Sequence, residues 1–597
     1  MRLLRRQPLF SCRSLSSWRY FFIIESKCLI NFYEGADDTD EKDAICAASV
    51  FTTAAEAANF NNEVKTQQGV VAGAYDDKHQ VVQWLGVPYA QQPTGADRWR
   101  EAQQAKKHKG ILDCTKAAPA NIQYNGKKVL GQEGMLTLDI VRPDTQEKNL
   151  PVLVYIHGGN NQASNSHLME GNRLAQEGNM VYVSVQYRLG LFGFNNLPAL
   201  ADGNKKEQSG NFGFLDQAAA LDWVRENIKE FGGDAKNITV SGFSAGGRDV
   251  MAMLISPVFK NKFDKAISFS GGLTVADAAK SQKTIAQKLA PMVVEDGKQN
   301  NLINAENWLL SDNGKDKKAV RQYLQAIPAE RLAPVMAGAV IRMSAFPHLY
   351  GDGEVLPVEG FATKHYYSVP LLMLASADEF SSFAARDPFF KDRLGLINND
   401  YKTTSEFKFA NKYGSALYGF FNGQQSAEVL YPHYKADMYV CSFAFAHTAD
   451  VVGKEYMVRN GALHGIFQPF LTDQGYGYTK NTDAFEQAGS KELSKAFIDS
   501  IAAFVRTGNP NTSALGTTWQ AWNPTYRPEL VWDANRQHAR ISSINSRVSY
   551  AGILAEMAND KSINEQSKNY IIHNVLNGRW FSDELDAQYG NPSLWPK

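Results

Sequence analysis

The sequence predicts an α/β fold: a large, mostly parallel central sheet flanked by helices, with helical insertions on its cap side. Three observations carry that expectation. Short β-branched and aromatic runs alternate with stretches of helical period, as strands and covering helices do. Several of those runs are apolar almost throughout, which suits strands buried on both faces. The stretch from about residue 277 to 345 is more helical than the rest and reads as an insertion.

Val152–Ile156 is the clearest strand, a five-residue run of Val-Leu-Val-Tyr-Ile. Met180–Val185, Ile238–Val240, Ala266–Phe269 and Pro370–Leu374 read similarly. Between them, Leu215, Ala218, Leu221, Val224 and Ile228 recur near helical spacing, and Gly232-Gly233 is a stop signal. Residues 58–597 read as one domain, behind a leader over residues 1–57.

Composition narrows the function classes. Apolar residues make up 44% of the 597-residue chain, ample for a large core. Its 62 basic and 62 acidic residues balance, so no global field favours nucleic acid or an anionic membrane. No apolar run reaches the length of a transmembrane helix. The five cysteines (Cys12, Cys28, Cys46, Cys114 and Cys441) show neither zinc-site spacing nor a disulfide framework. No pattern sets an oligomeric state.

The leader mixes two signals. Residues 1–24 carry five arginines, several serines and no acid, a transit-like composition. After the acidic patch Glu34–Asp43, residues 44–57 resemble the apolar region and small-residue cleavage site of a secretory signal, with a cut after Ala57. The expectation is a secreted or periplasmic protein. A true start downstream of Met1, or an artefactual upstream frame, would account for the acidic residues ahead of that signal; a disordered tail on a cytoplasmic protein is the alternative.

Gly242-Phe243-Ser244-Ala245-Gly246 follows the strand ending at Val240 and precedes a helix-like run. A strand–turn–helix around Gly-x-Ser-x-Gly is the setting of a nucleophilic serine, because the tight turn projects the hydroxyl. The helix N-terminus behind it favours negative charge. Ala245 supplies an oxyanion-hole N–H. Gly158, Gly159 and Asn160, directly after the strand Val152–Ile156, are candidate further donors. A bare Gly-rich turn is the bland reading of that run.

Taken together, these motifs resemble the type-B carboxylesterase (cholinesterase-like) family of the α/β-hydrolase fold, over about residues 67–535. The likeness rests on ordered blocks: Trp84–Ala90 with Pro93, Gly95 and Arg98; Leu150–Gly159; Tyr187–Gly190; Gly210–Gln217; Phe231–Asp234; Ser241–Gly247; and Thr507–Asn511. The resemblance implies a serine, acid, histidine order along the chain. It places the acid on Glu379, with neighbouring Asp378 as the alternative, and the base on His464. No metal or organic cofactor is implied, and the partner is a small-molecule ester.

Four departures shape the expected substrate. Asn160 stands where the family has a third glycine, and an intact Gly-Gly-Gly run goes with esters of tertiary alcohols. Phe243 and Phe467 stand at two family glutamates, which suggests apolar packing in place of a buried acidic cluster, with Ser270 left behind. The family's early loop disulfide is absent, with Met135 and an apolar residue near Ile122 at its ends. Residues 114–136 contain no tryptophan to hold a quaternary ammonium.

The expected activity is hydrolysis of neutral, short- to medium-chain carboxylic esters through an acyl-enzyme. A lipase or polyester-active esterase is the nearest alternative, and a non-catalytic adhesion module the remote one. Asn237-Ile-Thr fits a glycosylation pattern but equally a chance turn.

Overall fold

The structure, a computed structural model, describes residues 60–390, 404–473, 479 and 482–591. The proposed leader over 1–57 lies outside them. Residues Ala57–Lys597 form one compact unit.

Its centre is an eleven-stranded sheet. In chain order the strands are β1 (Ala74–Asp76), β2 (Val81–Pro88), β3 (Thr137–Pro143), β4 (Leu150–Ile156), β5 (Val181–Val185) and β6 (Gly233–Phe243). Then come β7 (Lys265–Phe269), β8 (Leu371–Ser376), β9 (Met438–Phe443), β10 (Pro528–Ala534) and β11 (Ala539–Asn545). The spatial order is β11-β10-β9-β8-β7-β6-β4-β5-β3-β2-β1. Pairings from β10 through to β5 are parallel, whereas β10–β11, β5–β3, β3–β2 and β2–β1 are antiparallel.

The near-continuous apolar runs are explained by burial on both faces. Val152, Val154 and Ile156 of β4 join one core cluster, while Leu153 and Tyr155 join a second on the opposite face. Alternate residues of a strand point to opposite sides, so a strand covered twice needs apolar residues at every position. Edge strand β11 breaks that pattern and is largely exposed.

Helix α1 (Phe212–Asn227) ends as its glycines anticipate: a short 3-10 turn over Ile228–Phe231 leads to Gly232 at φ 79°. A Cβ there would lie 1.9 Å from the Arg142 guanidinium. Helix α2 (Ala245–Met253) follows β6 directly. The expected insertion is helical, with α3 (Ala278–Glu295), α4 (Leu302–Leu309) and α5 (Gly314–Ala326). Asp277, Asn301 and Asn313 each cap one of them by accepting a backbone N–H three residues on.

Candidate active site

Strand β6 delivers Phe243 to the sheet's carboxyl end, and Ser244 turns the chain into α2. Its backbone sits at φ 59°, ψ −116°, a region that costs a non-glycine residue about 1–3 kcal/mol. The Ser244 N–H donates to the Phe269 carbonyl at 2.8 Å, which helps hold the turn. Both motif glycines are required by space. A Cβ on Gly242 would meet the Gly246 carbonyl at 2.2 Å, and one on Gly246 the Ile156 carbonyl at 2.1 Å.

The loop after β4 packs directly onto this turn. A Cβ on Gly158 would lie 2.6 Å from the Phe243 carbonyl and 3.0 Å from Ser244 Cβ. Gly159 at φ 98° and Asn160 at φ 60° both adopt positive φ, and Asn160 adds a side-chain bond to Gln162 Oε1 at 2.9 Å. Gly159 and Asn160 line a cavity of about 730 Å³ that also contains Ser244 and His464. Gly158 and Ala245 stand behind that lining, flanking the serine. Ala245 is the first residue of α2, so its N–H has no acceptor within the helix.

His464 and Glu379 come from separate loops at the same end of the sheet. His464 Nδ1 donates to Glu379 Oε2. The other carboxylate oxygen accepts the Ser376 N–H at 2.7 Å and the Ser270 hydroxyl. Glu379 is wholly buried and His464 is 7% exposed, so water competes little for these bonds. Ser270, left beside the apolar replacement, is a donor to Glu379.

Asp378 is turned away from the imidazole. Its Oδ2 accepts the Ala462 N–H at 2.8 Å, and its own N–H donates to the Ala462 carbonyl at 2.8 Å. His447 Nδ1 completes the cluster at 3.0 Å, and its bond to Asp378 raises the His447 pKa. Asp378 thus ties the acid loop to the histidine loop, two residues before His464.

The two phenylalanines at the family's acidic positions pack as expected. Phe243 and Phe467 meet edge to face at 5.4 Å, and Phe467 stacks on Phe269 at 4.7 Å. Phe243 also lies 4.6 Å from the His464 ring, with Phe383 at 5.1 Å and Tyr418 stacked at 5.6 Å. The early loop is closed by side-chain-to-backbone hydrogen bonds at Asn121, next to Ile122. Asn121 donates to the Met135 carbonyl at 2.7 Å and accepts the Met135 N–H at 2.9 Å.

A buried polar network behind the serine escaped sequence reasoning. Asp249 accepts Asn161 Nδ2 at 2.9 Å and Gln217 Nε2 at 2.7 Å, and burial pushes its pKa up to about 6. Tyr187 donates to Asn161 Oδ1 and to the His157 carbonyl, both at 2.8 Å. Burial drives the His157 pKa down to about 4, so that ring is neutral at physiological pH. Tyr187 and Gln217 fall inside the recognised sequence blocks, which was the available signal.

A serine at a strained strand–helix turn, on a mostly parallel sheet, with imidazole and carboxylate in later loops, defines the α/β-hydrolase class. Comparisons with known proteins agree. Residues 61–415 match the model of the carboxylesterase family. The para-nitrobenzyl esterase of Bacillus subtilis (strain 168) is 30% identical over 494 residues, spanning 79% of this chain and 94% of that protein. Esterase E4 of Myzus persicae is 29% identical, over 75% of this chain and 87% of its own. A solved PNB esterase superposes with TM-score 0.59 at 25% identity, over 81% of this chain and 98% of that one. The chain belongs to the carboxylesterase family and is a carboxylic ester hydrolase.

Proposed function

We propose that Ser244, His464 and Glu379 carry ester hydrolysis through an acyl-enzyme. The observation behind this is the imidazole held by a buried Glu379 at Nδ1, in the cavity that also contains Ser244. His464 Nε2 takes the Ser244 proton as Oγ attacks the ester carbonyl, then returns it to the departing alcohol. Water repeats the sequence on the acyl-enzyme and releases the acid. Glu379 fixes the tautomer and stabilises the imidazolium. The N–H groups of Gly159, Asn160 and Ala245 bind the oxyanion, each contributing about 3 kcal/mol to the transition state. Gly158 serves by letting the loop approach Ser244.

Apart from Arg386, the described residues lining the Ser244 cavity carry no permanent charge, and they include Phe243, Phe383 and Leu463. That composition supports neutral short- to medium-chain esters and gives a cationic choline group no counter-charge. Hydrolysis of a p-nitrophenyl ester series tests the roles. Ser244→Ala, His464→Ala and Glu379→Gln should each lose at least about a thousandfold in kcat/KM. Full activity in Ser244→Ala would overturn the assignment.

We also infer export, on the strength of the small-residue stretch ending at Ala57. N-terminal sequencing of protein recovered from the host tests it, and an intact residue 1–57 segment would refute it.

A further inference from the structure

The cavity that holds Ser244 has an uncharged interior and a basic mouth. Among the described residues that line it none is Asp or Glu, and the single permanently charged one is Arg386. Arg386 is exposed and makes no ion pair among the described residues. The acid beside it in sequence is committed elsewhere, because Asp387 is buried and pairs with Arg342 at 3.2 Å and Arg579 at 3.0 Å.

Two more cations follow directly in the chain on residues that line another part of the cavity. Tyr124, Asn125 and Gly126 line the cavity, and Lys127 and Lys128 follow on the same exposed hairpin tip. Asn125 Oδ1 accepts the backbone N–H groups of Lys127 and Lys128, at 3.0 and 2.9 Å, which fixes the turn that presents them. Neither ammonium is ion-paired among the described residues. Nearby Arg459, by contrast, is matched by Glu455 at 3.0 Å.

Distance from the chemistry is modest. The Arg386 guanidinium lies 5.9 Å from the Phe383 ring centroid, and that ring lies 5.1 Å from the His464 imidazole. One aromatic side chain therefore separates the reacting centre from a guanidinium that has no ion-pair partner among the described residues. An acyl chain of a few methylenes spans such a gap.

We propose that this mouth recognises a carboxylate at the far end of the acyl chain, so that the substrates include half-esters of dicarboxylic acids. Arg386 is the specificity-determining group, and Lys127 and Lys128 add to the field that draws the anion in. The inference rests on the ester-hydrolase reading of Ser244. It extends the substrate class from neutral esters to esters that are neutral at the scissile end and anionic at the other.

The test compares ethyl pentanoate with monoethyl pentanedioate, in which a carboxylate replaces the terminal methyl, and extends to the seven- and nine-carbon half-esters. Acid release is followed in wild type, Arg386→Gln, and Lys127→Gln/Lys128→Gln at low and high salt. The expected result is a higher kcat/KM for at least one half-ester than for its neutral partner. That advantage should fall about fivefold or more in Arg386→Gln and shrink with salt, while ethyl pentanoate stays within about twofold. Slower turnover of every half-ester in wild type would overturn the proposal, as would a preference untouched by Arg386→Gln. Loss of the serine reading would look different: Ser244→Ala would then still hydrolyse both members of a pair.

Discussion

At the scale of single residues, Asp378 and Glu379 divide two jobs between adjacent carboxylates. Successive side chains leave the backbone in different directions, so one meets the imidazole and the other the loop that carries it. Motif likeness places the acid on Glu379, with Asp378 as the alternative, whereas residue periodicity alone does not encode which of the two faces His464. The positioning role gives a graded expectation. Asp378→Asn keeps one oxygen for the Ala462 N–H and should retain kcat within about tenfold, whereas Asp378→Ala should lose more. Kinetics of the two variants on p-nitrophenyl butyrate check this, with equal values the contrary outcome. Asn160 carries a second expectation. A side chain beside the oxyanion loop narrows the site, so tert-butyl acetate should be cleaved far more slowly than n-butyl acetate.

At the scale of elements, α2 combines a strained entry with two buried charges. Arg248 is fully buried, its guanidinium faces the Trp580 ring, and its nitrogens find no hydrogen-bond partner among the described residues. Burial lowers its pKa to about 9 and raises that of Asp249 to about 6. The sign for Asp249 follows from linkage. The folded state holds its proton to a higher pH than the unfolded chain, so stability falls as pH rises from about 4 to 6 and is then level. Asp249→Asn removes that slope. The mutant's unfolding free energy relative to wild type should improve by on the order of 3 kcal/mol between pH 4 and pH 7. Gln217 Oε1, unpartnered among the described residues, is available to the new amide after a flip. Denaturant titrations at the two pH values decide it. Sequence reading placed α2 and its glycines correctly, because the elbow is a local pattern. It missed Asn161–Asp249–Gln217, whose members lie far apart in the chain and meet only through the sheet.

At the scale of the whole molecule, distant segments are joined by ionisable side chains near the surface. His79, in the turn after β1, bonds Asp76 Oδ2 at 2.5 Å and Asp473 Oδ2 at 2.8 Å. Burial opposes its charge, but the bonds to Asp473 and Asp76 prevail and raise its pKa. Such a histidine stabilises the fold fully below its unfolded pKa, about 6.5, and the contribution is lost as pH rises through the folded value. The thermal midpoint should therefore decline above neutrality more in wild type than in His79→Asn. Parallel slopes would argue against the link. The sheet itself was only half legible. Central strands β4 to β8 announce themselves by apolar runs, while buried β3 and β9 and the outer strands β1, β2, β10 and β11 are not singled out.

The Asn121 clip and the two deeply placed thiols have a practical consequence. Cys114 and Cys441 are free and buried, and burial raises both pKa values, that of Cys114 to about 12. Thiolate is the species that reacts with alkylating agents, so native protein should leave both sites unmodified. Each cysteine then acts as a clock for opening of its own region. Cys114 lies next to the hydrogen-bonded mouth loop, whereas Cys441 sits in the central strand β9. Iodoacetamide labelling read by peptide mass should mark Cys114 first under mild denaturant and Cys441 only with global unfolding.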